Sequence, residues 1–326
     1  MDIHFNSVLK EELSKFMELI ALSVTDNGAY RRDLTDFDAF LSADGMEVKE
    51  FTSEQVTRWL AGYDVAPATK EAKLCHIRRF SGYIRTLGIK TTLPELPRTS
   101  STFEPYVFTI DEMRQIFEAA DDLSAIQTGS LIAAELPVLL RILYGCGLRV
   151  GEALSLTWND VDFQEGTLTI KNAKNNKQRI VPMRNELTRI LGLYKAAPCF
   201  DMKKNDYLFR KEDGTRRDPT SYYKVFSRIL YDLGIKGAHT HDFSRGPCIN
   251  SLRHVFVMHS LLKAEAEGRS FMDTVPFLST YLGHERLMDT DKYMRARYDL
   301  YKASHAKIEE YTQGIFPEVD QPWPEK

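Results

Sequence analysis

Leu143-Tyr144-Gly145-Cys146-Gly147-Leu148-Arg149-Val150-Gly151-Glu152-Ala153-Leu154-Ser155-Leu156 is the stretch from which the rest of the chain is read. An apolar helix runs into a Gly-x-Gly break, and a single arginine follows at the head of a second apolar segment, between Leu148 and Val150. A guanidinium placed there is partly buried. Burial without a partner is costly, so the chain must supply an acid, an anionic ligand or both. Glu152, one helical turn on, is a candidate carboxylate to hold the Arg149 guanidinium in one rotamer. An ordinary ion pair within one helix is the plainer reading of the same spacing, and the remainder of the chain decides between the two.

At 326 residues, 43% of them hydrophobic, the chain has the length for two domains with substantial cores. No charge-free run of about 18 apolar residues occurs, and Met1-Asp2-Ile3-His4-Phe5 has neither the basic region nor the apolar core of a signal peptide. A cytoplasmic location with no membrane partner is expected. Cys75, Cys146, Cys199 and Cys248 show no Cys-x-x-Cys spacing, which argues against a zinc site and against a disulfide framework. A net charge of −3 gives no global sign of nucleic-acid binding, so any such function must rest on local clusters of lysine and arginine.

Upstream of the central stretch, Val8, Leu9, Leu13, Phe16, Leu19 and Ile20 recur at helical spacing and predict a helix from Phe5 to Leu22. A second helix carries Tyr30, Leu34, Phe37 and Leu41, and Thr52-Ser53-Glu54-Gln55 has the capping-box pattern that opens a third. The fourth, from Pro67 to about Leu87, turns Leu74, Ile77, Phe80 and Ile84 inward. Lys70, Lys73, His76, Arg78, Arg79 and Arg85 are left on its predicted outer face. That face is either a solvated charge run or a surface that tracks phosphates. Three prolines and a Ser/Thr cluster mark residues 91–105 as a linker between domains. Thr109-Ile110-Asp111-Glu112 is a second capping box, and Leu131 to Tyr144 is an apolar helix interrupted by Pro137.

Downstream, the period changes from that of a helix to that of a strand. Residues 161–163, 167–170 and 179–182 read as a small antiparallel sheet, with a lysine-rich tip between the last two that holds Lys171, Lys174, Lys177 and Arg179. Such a tip is also a common solubility device on a sheet edge. Helical patterns return at 185–196 and 219–233. His239-Thr240-His241-Asp242 offers either a metal site or, with no third ligand nearby, a polar loop. Asn250-Ser251-Leu252-Arg253-His254 leads an apolar helix, Phe277 to His284 ends another, and Tyr293 and a helical tail up to Tyr311 follow. The fold class is therefore mainly α with a small antiparallel β-sheet.

Taken together, Gly147-Leu148-Arg149-x-x-Glu152, the hairpin Lys174, Leu252-Arg253-His254, Leu282-Gly283-His284 and Tyr293 resemble, in order and approximate spacing, the tyrosine recombinases of the phage integrase family. The resemblance implies a helical core-binding, SAM-like DNA-binding domain over residues 1–90 and an α+β catalytic domain with a C-terminal helical tail over 106–326. It also implies site-specific cleavage and rejoining of DNA, for integration or excision of a mobile element, with neither metal nor other cofactor. Arg149 and Arg253 are then the expected clamp on the scissile phosphate, backed by Glu152 and His254, and Tyr293 is the nucleophile that forms a 3′-phosphotyrosyl link. Lys174 is the expected general acid, with Lys171 and Lys177 as neighbours open to confusion with it. His284 hydrogen-bonds the phosphate or the tyrosine oxygen. Lys70, Lys73, Arg78, Arg79, Lys177 and Arg179 are expected on DNA.

Duplex DNA with paired core sites, a homotetramer closed around it as C-shaped clamps, and accessory DNA-bending proteins are the partners the resemblance implies. The helix around Ile308 to Ile315 docks either on a neighbouring protomer or on its own domain. One position departs from the family pattern: Asn250 stands where a histidine is usual, and an amide cannot exchange a proton near pH 7. The base is then His284 or water. Three other readings stay open: a DNA-binding protein of this fold weakened in cleavage, a type IB topoisomerase-like strand transferase, and a helical scaffold unrelated to DNA.

Overall fold

The computed structural model describes residues 4–23, 27–96, 106–126, 131–171, 178–197, 206–236 and 246–283. Lys174, Lys177, His284, Tyr293, the 239–242 loop and the tail beyond 283 lie outside the described residues. The chain divides into two compact units, Met1–Thr102 and Phe103–Lys326.

Four helices build the first unit: α1 (Lys10–Ser23), α2 (Gly28–Ala43), α3 (Ser53–Ala61) and α4 (Pro67–Thr86). Leu9, Leu13, Leu34, Phe37, Ile77, Phe80 and Ile84 meet in its core. The first helix begins at Lys10 rather than at Phe5, because Asp38 on α2 accepts the backbone N–H groups of Asn6 at 2.6 Å and Ser7 at 3.1 Å. A side chain from a distant helix thus satisfies donors that a local helix start would leave orphaned. The capping box at Thr52 forms as the sequence predicts, with both reciprocal bonds to Gln55 present.

The basic outer face predicted for α4 needs correcting at Lys73, while Arg79 and Arg85 are exposed. Lys73 is buried, its Nζ 2.8 Å from Asp33 Oδ1 and 4.1 Å above the Tyr63 ring. His76 meets the other oxygen of Asp33 at 2.7 Å. The guanidinium of Arg79 donates to the Tyr30 hydroxyl, and that of Arg78 to the Pro94 carbonyl. Lys73 lies one turn before Ile77, in the row that continues to Phe80 and Ile84, so helical geometry turns it inward. The Asp33 carboxylate makes that burial tolerable.

In the second unit, α6 (Leu131–Cys146) is mostly apolar and buried on most of its surface, and is accordingly central. Packed on it are α5 (Ile110–Ile126), α8 (Asn185–Ala196), α9 (Pro219–Asp232) and α10 (Ser251–Ala266). Its one fully buried carboxylate, Glu135, is met by the Tyr222 hydroxyl and, at 2.8 Å, by Arg217 Nε, as a buried charge requires. α5 opens on the predicted Thr109/Glu112 capping box.

After α6 comes the short α7 (Val150–Leu154), and later α11 (Phe271–Leu282) packs against α10. Between α7 and α8 the chain forms a three-stranded antiparallel sheet in the order β1 (Val161–Asp162), β2 (Thr167–Ile170), β3 (Arg179–Pro182). Leu168 pairs with Val161 on one side and Val181 on the other, and all three side chains are buried. Along β3 the strand period sets Arg179 and Val181 on the inner face and leaves Ile180 68% exposed on the outer one. Of the described cysteines, Cys75, Cys146 and Cys248 are free thiols. No described helix is long and apolar enough to cross a membrane.

Candidate active site

Cys146 is the last residue of α6, and Gly147 then turns the chain with a φ of 61°. A side chain there is excluded twice, by the left-handed backbone and by the Phe256 ring of α10, whose Cδ1 would lie 2.4 Å from an added Cβ. The close approach matters because the Gly147 carbonyl accepts Arg253 Nη1 at 2.7 Å. Gly147→Ala is expected to cost about 2–5 kcal/mol, the left-handed penalty plus overpacking. It should also lower DNA cleavage, because the carbonyl that orients Arg253 is displaced. Thermal melting together with a single-turnover cleavage assay checks this, and an alanine variant equal to the unaltered chain in both would contradict it.

The turn places Arg149 at the start of α7, where Glu152 reaches back to accept the Arg149 backbone N–H at 2.9 Å and its Nη1 at 3.0 Å. The pair is therefore more than a surface ion pair within one helix. The same carboxylate accepts Arg179 Nη1 at 3.1 Å and Nη2 at 2.9 Å, and Arg253 Nη1 stands 3.7 Å from it. Its side chain is 4% exposed, and those of Arg253, Arg179 and Arg149 are 6%, 12% and 38% exposed. Burial pushes the Glu152 carboxyl up, but the Arg179 fork, the Arg149 N–H and the charges of Arg179 and Arg253 outweigh it and hold the group below the usual carboxylate value. Three guanidiniums against one carboxylate leave two positive charges, with Arg149 the most open to solvent.

Arg253 is also held by backbone carbonyls. Besides the Gly147 carbonyl, the Leu282 carbonyl at the end of α11 accepts its Nη2 at 2.9 Å, so two backbone carbonyls set its direction. The next residue, Gly283, caps α11 in the left-handed conformation, φ 65°, and an added Cβ would lie 3.1 Å from Arg179 Nη1. The two glycine turns, in Gly147-Leu148-Arg149 and Leu282-Gly283, thus bring backbone carbonyls and guanidiniums from α7, β3, α10 and α11 to one point.

Other predicted residues fall into place around this cluster or away from it. Arg179 was expected on the basic tip facing DNA; it is instead drawn inward onto Glu152, a correction that follows from the strand period it shares with Val181. Lys171 pairs with buried Asp160 at 2.5 Å, just after β2. Asn250 precedes α10 and is exposed. His254 is partly buried; burial first, and then the Arg253 charge, lower its pKa to about 4, so it is neutral near pH 7. Burial pushes the Tyr281 phenol well above its ordinary value despite Arg179 and Arg253 nearby, which makes it a poor nucleophile. Lys70, Lys73, Arg78 and Arg79 belong to the first unit. No group of three potential metal ligands occurs among the described residues.

Comparison with known proteins is consistent along most of the chain. The profile of the phage integrase family matches residues 107–299. y4rB of Sinorhizobium fredii, provisionally named an integrase/recombinase, is 29% identical over 289 residues, covering 85% of this chain and 90% of that one. Tyrosine recombinase XerD of Rhizobium meliloti is 26% identical over 275 residues, covering 80% and 86%. Among solved structures, the XerH site-specific recombinase bound to palindromic difH substrate, a post-cleavage complex, superposes with a TM-score of 0.63 at 20% identity, covering 86% of this chain and 79% of that one. A lambda integrase dimer bound to a COC′ core site gives 0.59 at 16% identity, covering 90% and 79%. The mainly helical fold with its small sheet is therefore the one these structures share.

Proposed function

This chain belongs to the phage integrase family, and from that premise we propose how its residues act and what it acts on. It is a tyrosine recombinase, a DNA strand transferase. The reading assigns it to integration or excision of a mobile element at a specific duplex site. The observation that carries the residue assignment is the cluster of three guanidiniums on one buried carboxylate, with two positive charges in excess beside a solvent-open arginine.

A phosphodiester is an anion, and attack on it builds further charge on its non-bridging oxygens. Arg149 and Arg253 brace those oxygens, each already fixed in direction by Glu152 or by backbone carbonyls. Tyr293 attacks the phosphorus, and the bond to the 5′-oxygen breaks as Lys174 protonates it. The resulting 3′-phosphotyrosyl bond conserves the energy of the broken one, so rejoining requires no nucleotide. His284 bonds the phosphate or the tyrosine oxygen. Residues 1–90 act as the DNA-binding domain, 91–105 as the linker and 106–326 as the catalytic domain. XerH solved on its difH substrate and a lambda integrase dimer solved on a COC′ core site support duplex DNA as the partner. The working assembly in this reading is a homotetramer on paired core sites with DNA-bending accessory proteins.

The test starts from a randomised duplex pool. Duplexes retained by the chain are rebuilt as nicked suicide substrates, from which the cleaved end is lost and the covalent adduct accumulates. An adduct that survives denaturation is expected; a chain that selects a site but never becomes attached to it contradicts the cleavage reading and favours a DNA-binding role. Asn250 is the one position that favours the weakened form. Asn250→His, which places a proton carrier at this position, is expected to raise the single-turnover rate about tenfold or more. An unchanged or lower rate in that assay refutes it.

A further inference from the structure

We propose that Arg179 is a positioning residue for strand cleavage: by saturating Glu152 it prevents this carboxylate from capturing Arg253 and keeps both clamp guanidiniums available to the phosphate. The inference rests on the assignment of Arg149 and Arg253 given above. It starts from the acceptor capacity of Glu152. A carboxylate offers about four lone-pair sites. Here four hydrogen bonds occupy them: two from Arg179, one from Arg149 Nη1 and one from the Arg149 backbone N–H. Arg253 accordingly stops at 3.7 Å and bonds instead to the carbonyls of Gly147 and Leu282.

Without the Arg179 fork, two lone-pair sites open on a buried carboxylate whose nearest other cations are the two clamp arginines. Arg253 then needs to move by less than 1 Å to form a charge-assisted hydrogen bond with Glu152, in direct competition with the substrate phosphate. The excess charge of the cluster also falls from two to one.

The surroundings of Arg179 fit a role inside the fold rather than on a DNA surface. It is 12% exposed and points inward with Val181. The side-chain-free Gly283 leaves room for its guanidinium, since a Cβ there would lie 3.1 Å from Nη1. Arg179 therefore bonds to Glu152 of α7, lies beside Gly283 and pairs with Ile170 at the end of β2. A lysine in its place keeps the charge but lacks the planar fork that fills both oxygens.

The experiment uses the full chain, with a nicked suicide duplex whose core is selected from the randomised pool by the unaltered chain. Affinity and its salt dependence, melting, and single-turnover adduct formation at saturating protein are measured for Arg179→Gln, Arg179→Lys and the double variant Glu152→Gln/Arg179→Gln. Arg179→Gln is expected to bind within about twofold of the unaltered chain and to cleave about 100-fold more slowly, the scale of losing a preorganised donor. Arg179→Lys should lose about tenfold. The double variant should cleave at least about tenfold faster than Arg179→Gln, because removing the competing carboxylate returns Arg253 to the phosphate.

A cleavage rate for Arg179→Gln within twofold of the unaltered chain overturns the proposal. So does a double variant no faster than the single one, which marks a merely structural role. Affinity that falls in step with the rate, with a shallower salt dependence, makes Arg179 a phosphate contact instead. If Arg179→Gln does not fold, Arg179→Lys decides: full activity sinks the proposal, and a slower rate at unchanged affinity and melting supports it. Absence of any adduct from the unaltered chain is a separate result, which removes the cleavage reading and this inference with it.

Discussion

Tyr293→Phe is expected to select and bind the same duplex as the unaltered chain and to form no covalent adduct with it, a loss of at least about 10⁴-fold in single-turnover cleavage. Only one oxygen is removed, so neither charge nor shape changes enough to disturb DNA binding. The effect is large because the reaction as proposed proceeds entirely through that oxygen. A phenol titrates near pH 10, so attack near neutral pH needs a local positive field or a base. Burial raises the pKa of the Tyr281 phenol, which disfavours it as a substitute nucleophile. The check is a denaturing gel of the suicide reaction, with affinity measured in parallel. Covalent attachment of the phenylalanine variant would show that another residue attacks.

The second large effect is expected from Glu152. Replacing it by alanine leaves Arg149, Arg179 and Arg253 facing one another without their shared anion, two of them almost fully buried. Breaking a buried pair from one side costs about 3–5 kcal/mol. Melting should fall accordingly, and cleavage should drop by at least about 100-fold as the guanidiniums separate. Glu152→Gln, which keeps the shape and half the acceptors, should lie between the two chains.

A pH dependence follows from the same group. The folded chain holds the Glu152 carboxyl below its ordinary value. Its stabilising contribution is therefore complete above the unfolded-state pKa of about 4.3 and is lost as pH falls through the lower folded value. Melting followed from pH 6 downward should show an acid limb that is less steep in Glu152→Gln than in the unaltered chain. Equal limbs would mean that the three arginines do not depend on this carboxylate.

Much of this arrangement is legible in the residues. The apolar periods that predict α5, α6 and α8 through α11 also give the order of the elements, and the 179–182 strand follows from alternation alone. Gly147 and Gly283 announce turns, and the turns exist because a left-handed φ ends each preceding helix. Arg149 with Glu152 is visible because its two members are three residues apart. Lys73 and Arg179 are the instructive misreadings. Charge alone places both on the surface, although Ile77, one turn after Lys73, and Val181, two residues after Arg179, indicate that each faces inward.

Local spacing therefore suffices to assign each side chain to a face and to state which chemistries the chain carries. The choice of partner is of another kind. Glu152 meets an arginine 27 positions away, and Arg253 a carbonyl 106 positions away. Contacts of that separation arise only when packing around α6 brings β3, α7, α10 and α11 to one point. A cation's solvent exposure and its ion-pair partner depend on every neighbour at once. The folded chain alone thus settles that Arg149 opens to solvent while Arg179 is held against the carboxylate behind it.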